Sequence, residues 1–313
     1  MSEPEGPPRP RLLAIVGPTG SGKSALGIAA AGRLDGEIVS CDSTAVYRGL
    51  DIGTDKVPAA LRRGIPHHMV DVADPTESYS AARYMREASA AVRRITAAGR
   101  LPIVVGGSGL YYRVLTRGLF EGPGRNPALR GVLGRLAARR GVERLHRMLA
   151  RVDPESAGRI HARDEKRLVR ALEVFVLTRR PLSEHFRETR PPLGEYDVLA
   201  FALRPDPAVT ADRVARRVEQ QFAAGLLDEV RGLLAAGVPA GAHAFSGLVY
   251  RQVLEHFAGV RDEPATRELI VGENRRYARR QLIWFRKEPN LHWIDATGEN
   301  PAAVDAVLCR AAA

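Results

Sequence analysis

The chain has 313 residues, 45% of them hydrophobic and 27% charged, with a formal net charge of +11 and a pI near 10.2. That length exceeds one average domain and allows a full core, and the composition excludes long disorder or a fibrous protein. Only two cysteines occur, Cys41 and Cys309, too few for a disulfide framework or a four-ligand zinc site.

Residues 1–11 are polar and Pro-rich with no apolar stretch, which predicts a flexible tail and not a signal peptide. No run approaches the roughly 18 apolar residues of a membrane helix. A cytoplasmic protein without a membrane partner is therefore expected. Leu12–Val16 is a short apolar run leading into glycines, and Lys23–Arg33 has helical composition, so strand, loop and helix follow one another. Glu37–Ser40 predicts a second strand, His68–Val72 a third, Ser78–Ala98 a helix and Leu101–Val105 a buried strand ended by Gly106-Gly107. This alternation implies an α/β fold, a mostly parallel sheet flanked by helices on both faces.

After Tyr112 the pattern changes. Gly118–Pro127 is rich in Gly and Pro, and only helical signals follow: Leu129–Ala150 and Glu165–Thr178, the latter closed by Pro181. Val198–Leu203 then looks like a strand again, so an all-helical domain over residues 121–194 is predicted as an insertion into a core made of residues 12–120 and 195–313. Ala211–Ala236 and Glu263–Lys287 predict long amphipathic helices, with His292–Asp295 as a last strand.

Gly17-Pro18-Thr19-Gly20-Ser21-Gly22-Lys23-Ser24 fits G-x-x-x-x-G-K-[ST] with a strand before it and a helix after it. In such a P-loop, backbone N–H groups converge on phosphate oxygens, the lysine adds positive charge and the hydroxyl of Ser24 can ligate Mg²⁺. The motif establishes binding of a diphosphate or triphosphate without saying that ATP is hydrolysed. Leu101–Val105 has no acidic residue at its end, where ATP-hydrolysing P-loop proteins usually hold Mg²⁺ with an Asp. Asp42 sits just past the second strand, at the carboxyl edge where doubly wound sheets bind ligands; followed by Ser43 and Thr44, it also fits a helix N-cap.

Charge is unevenly spread. Residues 125–190 hold 17 basic against 8 acidic side chains, and residues 273–287 hold 6 against 1. Two concentrated basic blocks point to a phosphate-bearing partner; that Arg supplies 43 of the 47 cations fits such a partner and equally fits biased codon usage. Arg163, Lys166, Arg167 and Arg170 recur at three- and four-residue spacing, which predicts one helical face able to meet successive phosphates.

The combination GPTGSGKS, DSTAVYRGLDIGTDK, HHMVDVADPTESYS, GGSGLYY and HARDEKRLVRALEV resembles the tRNA dimethylallyltransferases, the IPP transferase family, over roughly residues 12–295. The resemblance implies a P-loop NTPase-like core whose loop, Gly17 to Ser24, holds the diphosphate of dimethylallyl diphosphate. It implies transfer of the five-carbon group to the exocyclic amine of adenosine 37, next to the anticodon in the anticodon stem-loop of tRNA, with Mg²⁺ at Ser24. A single copy of the chain is expected to act.

By the same resemblance Asp42 is the general base, Lys23 a catalytic cation, and Arg217, in the pair Arg213 and Arg217, a second diphosphate contact. Arg217 equally fits a solvated helix face. The residues implied to contact tRNA are Asp42, Ser43, Thr44, Ala45, Ser108 and Arg130, then Lys166, Arg167, Leu168, Val169 and Arg170, and Gly247, Leu248, Val249, Tyr250 and Arg251. Core packing is an alternative role for Leu248 and Tyr250.

Three positions depart from the family pattern: Ser24 stands for Thr, Arg125-Asn126-Pro127 for Ala-Asp-Pro, and Val249 for Gly. Ser24 keeps the metal-binding hydroxyl. A β-branched residue at 249 is expected to exclude positive φ and to fill space in the loop. A small-molecule or nucleotide kinase, an adenylate isopentenyltransferase and a non-catalytic RNA-binding P-loop protein are the rival readings, and the first two have no need of long basic segments.

Overall fold

A computed structural model of the chain describes residues 9–120 and 122–312. Residues 1–8 of the expected tail lie outside the described residues. Arg11, placed in that tail by the sequence reading, opens the first strand instead, and the Pro10 carbonyl accepts from Asp197 N at 2.9 Å.

Among the described residues, six strands form one parallel sheet in the order β3-β2-β4-β1-β5-β6: β1 (Arg11–Val16), β2 (Gly36–Ser40), β3 (His67–His68), β4 (Leu101–Gly106), β5 (Asp197–Leu203) and β6 (Leu291–Ile294). β1 lies at the centre, with Val16 opposite Gly106 on one side and Ala202 on the other. β1 and β4 are nearly continuous apolar runs because both faces are covered, as parallel sheets require. Leu13 and Ile15, Ile103 and Val105, Phe201 and Leu203 share one face through the two-residue period of a strand. They pack with α1 (Lys23–Arg33) and the C-terminal helix Pro301–Ala312. α2 (Ala81–Ala97), capped by the Ser80 hydroxyl, packs on β2 and β4 with a separate buried row of Tyr84, Ala88, Val92 and Ile95. α3 (Gly109–Arg117) follows β4.

The chain divides into two compact units, Met1–Thr116 with Pro192–Ala313, and Arg117–Pro191. The second unit is helical: α4 (Pro127–Arg140), α5 (Val142–Val152), α6 (Pro154–Arg159), α7 (Glu165–Thr178) and α8 (Leu182–Glu188). Its own core contains Leu133, Leu145, Leu149, Leu168, Leu172 and Val174. Asn126, Asp153 and Asp164 each cap a helix N-terminus with a side-chain oxygen. The first unit continues with α9 (Pro207–Ala223), α10 (Leu226–Ala235), α11 (Tyr250–Phe257), α12 (Glu263–Phe285) and, after β6, α13 (Pro301–Ala312).

Three expected elements are corrected. The single helix expected over Leu129–Ala150 breaks at Gly141 (φ 80), and the one over Ala211–Ala236 breaks at Gly225 (φ 93). Both glycines enter positive φ, which an α-helix cannot continue through. The strand expected over His68–Val72 stops at His68, because Met69 (φ 62) and Asp71 (φ 57) turn the backbone out of the extended region.

Candidate active site

The carboxyl ends of β1, β2 and β4 meet at the switch point of the sheet, where the chain leaves β1 for β2 on one side and returns to β5 on the other. Val16 ends β1 and the P-loop begins. Gly17 and Pro18 are buried, Gly20 and Gly22 sit at φ 80 and 82, and Ser21 N donates to the Pro18 carbonyl at 3.2 Å. The first turn of α1 has no acidic residue and no side-chain cap, so the free N–H groups and helix dipole there favour an anion.

Lys23 Nζ lies 3.4 Å from the Pro18 carbonyl. Desolvation under the loop and the neighbouring charge of Arg217 pull its pKa down to about 8, against the opposing pull of Asp42 and Asp55. Lys23, Ser24, Asp42 and Arg217 all line one small chamber of about 100 Å³, whose walls include Ile38, Val57, Val70 and Val105. The chamber shares Lys23, Ser24 and Arg217 with a wider open cavity of about 960 Å³, which Arg213 and Arg216 also line.

Asp42 lies two residues beyond β2 and caps a turn, not the helix that its sequence context suggested. Its Oδ1 accepts from Thr44 N at 2.9 Å, Thr44 Oγ1 at 2.7 Å and Ala45 N at 3.4 Å. Among the described residues Oδ2 has no hydrogen-bond partner, so one oxygen fixes the carboxylate while the other stays available as a proton acceptor. Arg217 is held in the chamber by Asp55 Oδ2 at 3.1 Å and the Thr54 carbonyl at 3.3 Å, which corrects the solvated-face alternative. Arg213 pairs with Glu299.

Three residues here escaped the sequence reading. Gln281 on α12 accepts from Thr19 N at 2.8 Å and donates to the Gly107 carbonyl at 2.9 Å, tying the P-loop to the end of β4. Its only signal was an uncharged polar residue inside the arginine block. Asp55 orients Arg217, and Tyr277, also on α12, has its hydroxyl pushed up to about 12 by burial and then by the charge of Asp42.

A sequence model described as IPP transferase matches residues 45–288. The chain belongs to the IPP transferase family. It is 46% identical over 304 residues to a tRNA dimethylallyltransferase of Solibacter usitatus, covering 96% of this chain and 98% of that one. It is 47% identical over 289 residues to one from Anaeromyxobacter dehalogenans, covering 91% and 92%. Among solved structures it is similar to the full-length tRNA isopentenylpyrophosphate transferase of Bacillus halodurans, with TM-score 0.71, 34% identity and 96% of each chain covered. It is also similar to a eukaryotic dimethylallyltransferase described as acting on tRNA, with TM-score 0.78, 25% identity, and 97% of this chain and 77% of that one covered.

The family resemblance had implied RNA contacts along several segments, and the structure sorts those residues by what their side chains already do. Ser43, Lys166, Arg167 and Arg251 are exposed. Gly247 lies against Thr44, so the 247–251 segment adjoins the Asp42 turn. Ser108 is buried and its Oγ accepts from Ser43 N at 2.9 Å, supporting that turn.

Ala45, Leu168, Val169, Val249 and Tyr250 have buried side chains, so any contact these positions make runs through their backbone; Leu248 is half-buried. The Tyr250 hydroxyl donates to Glu229 Oε1 at 2.8 Å, which favours the packing role. Arg130 and Arg170 both bind Glu173, which is fully buried, through contacts of 2.8 Å. Arg163 lies before the Asp164 cap, outside α7, so the expected face of four cations on one helix reduces to Lys166 and Arg167. Val249 adopts φ 78 and ψ −64 despite its β-branch, and its side chain turns inward, so neither positive φ nor the outer face of the loop is lost as expected.

Proposed function

We propose that this chain transfers the dimethylallyl group of dimethylallyl diphosphate to the N6 amine of adenosine 37 in tRNA, next to the anticodon. The observation that carries the reading is that the P-loop cation Lys23, Ser24, Arg217 and the carboxylate Asp42 line one chamber together with the aliphatic side chains of Ile38, Val57, Val70 and Val105. A phosphate-binding loop beside a group of aliphatic side chains fits a donor that carries both a diphosphate and a short hydrocarbon.

In the proposed reaction the amine nitrogen bonds to the allylic carbon, the carbon–oxygen bond to diphosphate breaks, and the amine proton passes to Asp42. An aromatic amine is a weak nucleophile, so removal of its proton as the bond forms lowers the barrier. Lys23, Arg217 and the loop amides stabilise the charge that grows on the departing diphosphate. The Ser24 hydroxyl lines the same chamber and is the oxygen donor that would hold Mg²⁺, leaving Asp42 for the proton and Asp55 for Arg217. When bound there the ion would help neutralise the leaving group. Among the described residues no group of three His, Cys, Asp or Glu is placed to hold a metal; Mg²⁺ would share its coordination with phosphate oxygens.

Lys166, Arg167 and Arg251 are proposed to bind the anticodon stem-loop through its phosphates. An adenine stacked in that loop has to leave the stack to reach a carboxylate beside the P-loop. We further propose action as a monomer in the cytoplasm; among the described residues no helix is long and apolar enough to cross a membrane. Incubation with labelled dimethylallyl diphosphate and, separately, unmodified tRNA, AMP and ATP tests the reading. Label is expected in tRNA alone. Label in AMP or ATP would replace tRNA with a free nucleotide, and phosphate transfer from ATP to a metabolite would overturn the proposal.

A further inference from the structure

The loop that orients Arg217 is itself held by a carboxylate remote from the chamber. Glu229, on α10, accepts from three consecutive backbone amides: Asp51 N at 2.8 Å and Ile52 N at 2.6 Å on Oε2, and Gly53 N at 3.2 Å on Oε1. From the other side of the loop Gln221 Nε2 donates to the carbonyls of Ile52 at 3.1 Å and Gly53 at 3.3 Å. The next two residues are Thr54, whose carbonyl accepts from Arg217 at 3.3 Å, and Asp55, whose carboxylate pairs with Arg217 at 3.1 Å. Arg217 and Gln221 are four apart on α9, so one helical face reads both halves of the loop.

Tyr250 completes the clamp. Its hydroxyl donates to Glu229 Oε1 at 2.8 Å, and its ring lies so close to Gly53 that a Cβ there would collide with it. Burial, followed by the charge of Glu229, keeps the hydroxyl protonated and so a donor. An ionised carboxylate has acceptor sites for all four of these donors, whereas a carboxamide would turn an NH₂ toward one or more of them.

We propose that Glu229 is a positioning residue: by gathering the amides of residues 51–53 and the Tyr250 hydroxyl, it fixes Thr54 and Asp55 and thereby aims Arg217 at the diphosphate. This rests on the proposed function, in which Arg217 contacts that diphosphate. It also links the segment carrying Tyr250 to the donor chamber through two hydrogen-bonded steps.

The test is a double-mutant cycle read by calorimetric binding of inorganic diphosphate with Mg²⁺ to the full chain. Glu229→Gln is expected to weaken diphosphate binding about 10-fold or more, and Arg217→Gln at least as much. In the Arg217→Gln background, Glu229→Gln should add less than 2-fold, because its effect has been removed with its target. Equal weakening in both backgrounds, wild-type binding by Glu229→Gln, or no effect of Arg217→Gln would each overturn the inference. Should Glu229→Gln fail to fold, Tyr250→Phe takes its place, with weaker binding expected only when Arg217 is present; unchanged binding overturns the inference. Prenyl transfer by the wild type is scored in parallel. Its absence would sink the functional reading while the diphosphate cycle still decides the role of Glu229.

Discussion

With Asp42 Oδ1 held by Thr44 and Ala45, an Asn at this position keeps a carbonyl oxygen for the same turn and loses only the basic oxygen. Asp42→Asn should therefore bind tRNA nearly as the wild type does while turnover falls at least ~100-fold. Single-turnover rates with saturating tRNA, beside a direct binding titration, check this; near-normal turnover would remove Asp42 from proton transfer. Lys23 carries a different signature. Its pKa of about 8 means that the free enzyme loses the P-loop charge as pH rises above 8, so kcat/KM for the donor should fall about tenfold per pH unit there. Bound diphosphate favours the charged form, so kcat should stay flat over the same range. In stability the sign is reversed: the unfolded lysine, near 10.5, binds the proton that the folded one has released between pH 8 and 10.5, so folding gains with pH across that window. A kcat/KM profile flat through pH 9 would contradict this account. Asp42 and Lys23 were legible in the sequence because each sits within a few residues of a strand end that the apolar pattern had located. Gln281, which binds Thr19 across 262 positions of sequence, was not, since nothing local to either residue announces the pairing.

Among the elements, the start of α11 shows where local propensity yields to tertiary structure. Val249 at φ 78 and ψ −64 occupies a conformation that costs a β-branched residue about 1–3 kcal/mol. Its side chain is 3% exposed and regains a similar amount by burial. Val249→Ala keeps most of the backbone cost and loses the packing; Val249→Gly loses the packing and relieves the backbone. Gly should thus be the more stable of the two by about 1 kcal/mol, reversing the usual order of these residues. Urea unfolding of both variants measures the difference, and an Ala variant as stable as Gly would show that positive φ carries no cost here. In the helical unit, burial would raise the pKa of Glu173, but Arg130, the Asn126 amide and Arg170 outweigh it and hold the carboxylate at about 2. Arg130→Ala leaves this buried charge without its two-pronged partner and should destabilise the unit by about 3 kcal/mol, whereas Lys166→Ala should change stability by less than about 0.5 kcal/mol. Equal stabilities in chemical unfolding would contradict that division of labour. The three- and four-residue spacing placed cations near one another correctly, but it could not reveal which of them a buried Glu already occupied.

For the whole molecule, the parallel sheet and the helical character of the second unit could be expected from alternation alone, because burial on both sheet faces writes itself into continuous apolar runs, whereas the strand order β3-β2-β4-β1-β5-β6 is set by crossovers that no local pattern announces. Helix breaks at Gly141 and Gly225 escaped because the apolar periodicity continues on both sides of them. Net charge is equally legible but less specific: +11 sets long-range attraction to any polyanion, and only exposed cations convert it to contacts. Lys166 and Arg167 are exposed, and the Asp164 partner of Arg167, at 3.3 Å, is a surface pair that phosphate can displace at little cost. If both meet tRNA phosphates, Lys166→Ala with Arg167→Ala should reduce the slope of log affinity against log salt by about 1.4–1.8, since each neutralised phosphate contributes roughly 0.7–0.9. Affinity at low salt should fall correspondingly, while the Kd for inorganic diphosphate, which the proposed function assigns to the P-loop and Arg217, should stay within about 2-fold of wild type. Filter binding of unmodified tRNA across a salt series gives the slope. A double variant with the wild-type slope would place the RNA on another face and leave the remaining exposed arginines, Arg251 first among them, to carry it.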